Sequence, residues 1–523
     1  MATVLQCFFL SVILIGPMGG AFIGGQNGSP GKPQAAASGN VPDGTTKERP
    51  FEVVSLIASV QSAPPEFAAD LLIAIAESAR VTESNWKKEL LEEAFRVAAD
   101  CQYQMAQKSV GPYPVDTRSG YLGEAFRLKL DALSLRCRVV ESMLRLDKAK
   151  GLQLFNEIGK LKFPPVNCDS GLVYEVSDFY KTAAKLFREA FSIKEKRRGE
   201  HIRFFESVID DISSPVQIPP AANVIRSVEI SRDQRESLVT AFASNIAKLS
   251  GDDRSFSSSI YSVDDEFGRL LHTCKEQGVS TIELIRSLRS YYVRHLSGTR
   301  CSDTLRNAGD TGPLPHEVNQ FNTRVRALTE KNISEIEAED LKPAKIEGKV
   351  DVHFYWQSPR AQKLMERFKR LKFGSGLKPL TPAEMETVQW RGDLREFINQ
   401  VSTWDKNEED SVEDYFHEKC NLFEALLNSV LPAGLERDEV TRAFVSFLCK
   451  FDVKSLSRIE WFWHAKNLLP RTLNQESDER SADLRAILES SNNPVLYLYA
   501  QTWKTLSSQP RRNAEPAQRP TSP

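Results

Sequence analysis

The sequence predicts an all-α fold, with an irregular, α-solenoid-like helical-repeat part followed by a smaller helical domain. Apolar residues recur at alternating steps of three and four over most of the chain after residue 50, which is the period of a helix with one buried face. Helix pairs recur along the chain, whereas strand-like alternation is rare. The clearest apolar stripe, on a helix of roughly 25 residues, passes through Phe126, Leu130, Leu133, Cys137, Val140 and Leu144.

The same periodicity predicts further helices at residues 86–98, 205–212 and 416–430. Thr381, Pro382 and Glu384 have the spacing of a capped helix start, with a hydroxyl at the N-cap, proline in the first turn and glutamate three residues on. The cluster Gly-Ser-Gly at 374–376 predicts a helix C-cap and turn. Residues 350–356 (VDVHFYW) alternate like a strand and fit a lone extended segment.

A weak internal repeat supports the solenoid-like arrangement. Residues 64–78 and 219–229 both begin with Pro-Pro and continue as Ala-rich apolar helices. Each is followed by a polar turn and an amphipathic helix with Ala-Phe near its centre, at Phe95 and Phe242. A third approximate copy begins at Leu146. The period is irregular, so a compact, non-repeating helical fold is the alternative.

Composition shifts divide the chain into six segments. The region around residue 300 is rich in turn-forming residues, and the charged stretch after it has few apolar residues for a core. We therefore expect a signal peptide at 1–21, a flexible linker at 22–49, a helical-repeat-like domain at 50–299, an irregular linker at 300–349, a C-terminal helical domain at 350–508 and a disordered tail at 509–523.

The first residues, MATVLQCFFLSVILIGPMGG, resemble a secretory signal. The apolar run at 8–16 is shorter than the about 20 residues needed to span a bilayer, but it suits the hydrophobic region of a signal peptide. Gly19 and Ala21 provide the small side chains of a cleavage site. No Lys or Arg precedes the run, so an uncleaved anchor and a buried strand are alternatives. We expect an exported protein, periplasmic or secreted, with no stable membrane span after signal cleavage.

Charge and composition exclude several classes of protein. There are 68 basic and 70 acidic residues, so the net charge of −2 provides no global field for nucleic acid, and no nucleic-acid partner is expected. A hydrophobic content of 41% supports a packed core but is too low for a multispanning membrane protein. The densest basic run, KEKRR at 194–198, is interpreted as a solvated helix face.

Eight cysteines raise the question of disulfides in an exported chain. We expect two possible bridges, Cys274 with Cys301 and Cys420 with Cys449, because each pair brackets a predicted helix-turn-helix. The alternative is that these cysteines are small, buried core residues.

The sequence contains none of the common catalytic motifs HExxH, CxxC, GxSxG or the P-loop. His417 and Cys420 share a helix face, and Cys449 and His464 would complete a tetrahedral zinc site. An exported cysteine oxidises readily, however, so a core or disulfide role is favoured and no metal or cofactor is predicted. Catalytic residues are not identified, since none of the many possible carboxylate pairs is singled out by spacing.

Two aromatic clusters contain the candidate binding residues. Aromatic rings with a polar edge suit sugar stacking or a groove for a partner protein. Neighbouring positions 461 and 463 point to different faces of a helix, so at least one of the two indoles belongs to the core. The candidates are Tyr355, Trp356, Trp461, Trp463 and His464.

Five segments carry a resemblance to known sequences. They are DTRSGYL at 116–122, HLSGTRCSD at 295–303, YWQSP at 355–359, DYFHEKC at 414–420 and RIEWFWHA at 458–465. In these segments the chain resembles predicted exported, all-helical proteins of soil-type bacteria with no assigned function. The resemblance covers most of residues 50–505. It implies a bacterial, extracytoplasmic setting and no particular activity or catalytic residue.

The leading hypothesis is a non-enzymatic, exported helical scaffold or binding protein of the bacterial cell envelope, with an envelope protein or glycan as its partner. The alternative is an envelope hydrolase or lyase that has an α/α-toroid-like helical fold and acts on glycans. It requires a concave cluster where carboxylates meet aromatic rings, with Trp356 or Trp461 among them. A third hypothesis, a cytoplasmic helical protein, applies if the first residues are not a signal.

Overall fold

The computed structural model describes residues 49–507 except 110–116, 167, 169–170, 303–314, 328–332, 350–352, 356–357, 375–377, 409, 430–434, 452–455 and 471–478. The side chains of 257–262, 300–302, 316, 349, 382, 429, 435–436 and 479–481 are also outside the description. The predicted signal peptide, most of the linker that follows it, the C-terminal tail and Trp356 therefore lie outside the described residues.

The described chain is all-α, as the sequence predicts. Its helices are α1 (Phe51–Val60), α2 (Pro65–Glu77), α3 (Ser84–Ala98), α4 (Arg118–Phe126), α5 (Ala132–Leu146), α6 (Lys148–Ile158), α7 (Ser177–Glu189), α8 (Ile193–Arg197), α9 (Glu200–Asp210), α10 (Ile218–Ser227), α11 (Arg232–Ile246), α12 (Phe256–Glu276), α13 (Ile282–Leu296), α14 (His316–Arg326), α15 (Pro359–Phe373), α16 (Pro382–Met385), α17 (Val388–Thr403), α18 (Val412–Ser429), α19 (Leu435–Lys450), α20 (Arg458–Lys466), α21 (Glu479–Glu489) and α22 (Pro494–Ser507).

The long stripe from Phe126 to Leu144 belongs to two helices rather than one. Helix α4 ends at Phe126, and Lys129 then adopts a left-handed conformation with φ of 57°. Asp131 restarts the chain as the N-cap of α5, where its carboxylate accepts a hydrogen bond of 3.0 Å from the Ser134 N–H. Periodicity alone missed this break because both helices direct apolar residues into the same core.

Local capping signals are confirmed elsewhere. Thr381 and Glu384 form a reciprocal capping box, with the Thr381 N–H donating to the Glu384 carboxylate at 2.7 Å. Gly374 is the C-cap of α15 with φ of 60°, a conformation that favours glycine. The remainder of the Gly-Ser-Gly cluster lies outside the described residues.

Helices of the first half pack largely on near neighbours in sequence. Helix α2 contacts α3, α3 contacts α5, α5 contacts α6 and α7, and α7 contacts α9 and α10. Helix α9 then contacts α11, and α11 contacts α13. These contacts suit helices stacked in succession, but they do not establish the repeat.

The first and last parts of the described chain pack against each other. Helices α1 and α2 contact α22, and α4 contacts α20. The described residues from Arg49 onward accordingly form one compact unit. Helices from both predicted segments, 50–299 and 350–508, contribute side chains to one hydrophobic core.

Four short strands form two small sheets among the described residues. β1 (Ala106–Ser109) pairs antiparallel with β2 (Leu172–Glu175), and β3 (Thr299–Ser302) pairs parallel with β4 (Lys345–Lys349). Of the extended segment expected at 350–356, Phe354 forms an isolated antiparallel bridge with Thr117. The Arg118 N–H also donates to the His353 carbonyl at 3.1 Å. These bonds fix the segment beside the start of α4.

The expected disulfides are not formed in this structure. Cys274, Cys420 and Cys449 are free thiols, which excludes both the Cys274–Cys301 and the Cys420–Cys449 pairing. Cys274 and Cys420 are fully buried core residues, and Cys449 is directed toward Ser491 rather than Cys420. Burial raises the pKa of all three thiols. Among the described residues, Cys168 is disulfide-bonded, although it belongs to neither of the two expected pairs.

A buried histidine predicts that the fold loses stability in acid. The His295 ring is 1% exposed, stacks on Phe256 at 4.9 Å and lies 4.4 Å from the Tyr291 ring. Neither ring nitrogen has a hydrogen-bond partner among the described residues. Burial lowers the pKa of His295 to about 4.

Because the unfolded chain takes up this proton first, stability should fall as the pH drops from 6.5 toward 4. Between pH 6.5 and 5 the expected loss is about 2 kcal/mol. Denaturant unfolding across this range should show that His295→Phe has a shallower pH slope than the wild type. The matched control is His272→Phe, which replaces an exposed histidine and should keep the pH slope of the wild type. An unchanged slope in His295→Phe would contradict the assignment.

None of the described helices is long and apolar enough to cross a bilayer.

Candidate functional site

Three of the five aromatic and histidine candidates converge on one cluster. The Tyr355 ring is fully buried and stacks on His417, with centroids 4.4 Å apart. Trp463 and His464 approach Tyr121, which itself stacks on His417 at 4.8 Å. This cluster lies where α4, α18, α20 and the segment around Tyr355 meet.

Trp461 is directed elsewhere. It is 0% exposed, and its indole N–H donates to the Leu448 carbonyl at 3.1 Å. It therefore packs between α20 and α19 as a core residue. Trp356 is outside the described residues.

Two helices each supply a glutamate and a histidine one turn apart. Helix α18 carries Glu413 and His417, and α20 carries Glu460 and His464. Residues four apart lie on one face of a helix, so both pairs are directed at the facing helix. The repeated Glu-x-x-x-His spacing is readable in the sequence, and it was missed because the residues between are largely apolar or aromatic.

A chain of hydrogen bonds fixes the orientation of His417. His464 Nδ1 lies 2.7 Å from Glu424 Oε1, and His464 Nε2 lies 2.9 Å from His417 Nδ1. A carboxylate only accepts, so His464 carries its proton on Nδ1 and accepts at Nε2. His417 must then donate from Nδ1. This assignment follows from the hydrogen-bond geometry and leaves a lone pair on His417 Nε2.

His417 is neutral in this environment. Its side chain is 1% exposed, and burial, together with the neighbouring His464 and Arg118, holds its pKa well below the usual value. Among the described residues, its Nε2 atom has no hydrogen-bond partner. An unpartnered lone pair at such depth is costly unless something binds there.

The Nε2 atom faces two carboxylates. Glu460 Oε1 lies 3.7 Å away and also has no hydrogen-bond partner within the described part of the chain. Glu413 contributes the third ligand atom, and the three atoms lie within 4.8 Å of one another. Burial first, and the nearby Glu413 second, raise the pKa of Glu460 to about 8. Glu460 is therefore largely protonated at neutral pH without a cation.

These three ligand atoms fit a divalent metal ion. Two ligands about 2.1 Å from a tetrahedral zinc ion are about 3.4 Å apart, close to the separation of His417 Nε2 and Glu460 Oε1. A cation would replace the proton on Glu460 and satisfy the lone pair of His417. The His464–Glu424 chain behind His417 is the outer-shell arrangement that orients metal-binding histidines.

The rim of the site comes from other parts of the chain. Arg118 donates to Asp414 Oδ1 at 3.1 Å and lies 3.8 Å from Glu413 Oε2. The Tyr355 hydroxyl donates to Glu413 Oε1 at 3.3 Å. Glu413 is 39% exposed, whereas Glu460 is 9% exposed, so solvent reaches the site from the Glu413 side. Arg118 lies in the segment DTRSGYL at 116–122, whereas nothing in the sequence pattern pointed to Glu424.

The zinc set considered from the sequence is not assembled. His417 and His464 come together, but only one of them faces the carboxylates, because the other is its hydrogen-bond partner. Cys420 is fully buried in the core, and Cys449 approaches Ser491.

Chemically, the site combines three protein ligands with a side open to solvent. Three ligands and an open position are the arrangement of catalytic zinc, which polarises a substrate oxygen or activates water. Without a metal, the protonated Glu460 and the neutral His417 are an acid and a base side by side. No protein-family model, curated protein or solved structure matches this chain.

Proposed function

We propose that this protein is an exported bacterial metalloprotein that holds one divalent metal ion, with zinc the best fit, between Glu413, His417 and Glu460. The observation that carries the proposal is the buried, unpartnered His417 Nε2 facing the two carboxylates. A scaffold needs no such group. The site therefore favours the hydrolase or lyase alternative, with an envelope glycan as substrate, over a non-enzymatic scaffold.

Two observations support the extracytoplasmic setting within this proposal. The chain begins with an apolar run of signal-peptide length. Cys168 is disulfide-bonded, and structural disulfides persist mainly in oxidising compartments.

The metal would act as a Lewis acid at the open side of the site. There it would polarise a glycan oxygen, or lower the pKa of a bound water toward neutrality. Arg118 and Tyr355 hold the Glu413 carboxylate in place from the rim. His464 and Glu424 hold the His417 ring so that Nε2 stays directed at the metal.

Metal binding tests the proposal directly. The full chain, stripped with a chelator, should take up about one zinc ion per molecule in titration calorimetry, with elemental analysis confirming the stoichiometry. His417→Ala and Glu460→Gln should abolish high-affinity binding. Glu424→Gln should weaken it by about 10- to 100-fold, because it removes only the partner that orients His464.

His272→Ala is the matched control, since His272 is exposed and pairs with Glu276 at 3.2 Å on α12. This variant should bind zinc like the wild type. Equal zinc affinity in the wild type and in His417→Ala, with both folded by circular dichroism, would overturn the proposed ligand set.

A further inference from the structure

A histidine that the proposed metal chemistry does not use lies beside the candidate metal centre. His353 Nε2 lies 2.9 Å from Asp414 Oδ2. The other oxygen of this carboxylate, Oδ1, accepts a hydrogen bond of 3.1 Å from the Arg118 guanidinium. Asp414 directly follows Glu413, a proposed metal ligand, in α18. The two contacts hold the carboxylate in place, and the carboxylate in turn orients the His353 ring.

The hydrogen bond to Asp414 determines which nitrogen of His353 can act as a base. A carboxylate only accepts, so the neutral ring carries its proton on Nε2 and its lone pair on Nδ1. This tautomer follows from the hydrogen-bond geometry. The described residues provide no hydrogen-bond donor to Nδ1. A carboxylate behind an imidazole also stabilises the cation that forms when the free nitrogen takes up a proton.

His353 is more accessible than the two histidines inside the cluster. Its side chain is 27% exposed, whereas His417 is 1% exposed and His464 is 0% exposed. The ring nitrogens of His417 and His464 are taken up by the proposed metal ion and by the hydrogen bonds that lead to Glu424. Of these three histidines, His353 is therefore the one whose lone pair can contact a substrate.

Main-chain and side-chain contacts place His353 near the open side of the metal centre. Its carbonyl accepts from the Arg118 N–H at 3.1 Å, and the Arg118 side chain lies 3.8 Å from Glu413 Oε2. The Tyr355 hydroxyl donates to Glu413 Oε1 at 3.3 Å, and the centroids of the Tyr355 and His353 rings are 6.4 Å apart. Glu413 is the ligand on the solvent-exposed side, so His353 lies beside the opening of the site.

These groups suit attack on a carbonyl better than cleavage of a glycosidic bond. Hydrolysis of a glycosidic bond typically uses two carboxyl groups, one as an acid and the other as a base or nucleophile. At this site the carboxyl groups of Glu413 and Glu460 are proposed metal ligands. A metal that polarises a carbonyl oxygen leaves one further requirement, a base that takes a proton from the attacking water.

We infer that His353 is the general base of this site, and that the bond cleaved is the ester or amide bond of an acyl group carried by the glycan. This inference rests on the proposed function, because it needs the metal to polarise the acyl carbonyl. Nδ1 takes a proton from water while the water oxygen forms a bond to the carbonyl carbon.

The same nitrogen completes the reaction. When the bond from the carbonyl carbon to the alcohol oxygen or amine nitrogen breaks, Nδ1 returns the proton to that leaving atom. The products are a carboxylic acid and a free hydroxyl or amino group on the sugar, and His353 is neutral again. Asp414 remains ionised throughout and stabilises the imidazolium that forms between the two steps.

Hydrolysis of p-nitrophenyl acetate by the zinc-loaded full-length protein tests the inference. His353→Gln should lower kcat by about 100-fold, the lower end of the range for general-base catalysis, and should bind zinc like the wild type. His272→Gln, which replaces an exposed histidine on α12, should keep the kcat of the wild type. A wild type without zinc-dependent hydrolysis, or equal kcat in the wild type and His353→Gln, would overturn the inference.

A labelling experiment without metal provides a second readout. Diethyl pyrocarbonate acylates neutral histidine nitrogens that solvent can reach. In chelator-treated protein, peptide mass spectrometry should find His353 modified as His272 is, with His417 and His464 unmodified. An unreactive His353 would overturn the inference. Failure of the wild type to bind zinc would refute the metal centre and the acyl hydrolysis together, whereas normal zinc binding with an unchanged kcat in His353→Gln would refute only the role of His353.

Discussion

Replacing Trp461 by alanine is expected to destabilise the fold by about 3–5 kcal/mol, as for other buried Trp or Phe residues truncated to alanine. The indole is completely buried, so the substitution leaves a cavity that the neighbouring helices cannot fill. It also leaves the Leu448 carbonyl without the donor that now reaches it at 3.1 Å. Denaturant unfolding followed by circular dichroism measures this loss.

Trp463→Ala is the matched control, two residues away on the same helix. Trp463 is only half-buried and contacts Tyr121 edge-on at 5.4 Å. Its loss should cost at most half as much, since less apolar area returns to water. If Trp461→Ala kept full stability but lost glycan binding, Trp461 would instead be the binding residue first considered from the sequence.

Arg458→Met is expected to cost about 3 kcal/mol at pH 7, because it leaves a buried carboxylate without its cation. Glu66 is 1% exposed, and its Oε2 atom lies 3.1 Å from the Arg458 guanidinium. Burial already raises the pKa of Glu66 even with Arg458 present. The expected loss is at the lower end of the range for buried pairs, because Arg458 is 31% exposed.

The double variant Glu66→Gln/Arg458→Met tests the cause. It removes the buried charge, so it should recover most of the stability lost in Arg458→Met. The deficit of the single variant should also shrink as the pH is lowered, since Glu66 can then take up a proton. A double variant no more stable than Arg458→Met would show that packing by the arginine, rather than charge, is what matters at this position.

The periodicity of apolar residues predicted most of the secondary structure. The segments 86–98, 205–212 and 416–430 correspond to α3, α9 and α18, within a few residues at their ends. Capping signals at Thr381 and Gly374 were also readable, because a cap involves only residues within one turn. The break at Lys129 was missed because the apolar stripe continues through it.

Contacts between distant segments were not predictable in the same way. The ion pair of Glu66 with Arg458 joins residues 392 positions apart, and Arg118 meets Asp414 across 296 positions. For none of these four residues does the neighbouring sequence show which distant residue is its partner. The predicted cysteine pairings were wrong for the same reason, because spacing along predicted helices does not show which way a thiol is directed.

The sequence by itself determined the helical class, most helix positions and several caps, since these depend on interactions within a turn or on one buried face. It also contained the two Glu-x-x-x-His spacings that supply the candidate site. Only the tertiary structure decided that α18 and α20 face each other, that Glu424 and His464 fix the tautomer of His417, and that Trp461 is core while Tyr355 lines the site. These outcomes depend on how helices pack and on which side chains become buried together, and neither is encoded in the spacing of any single helix.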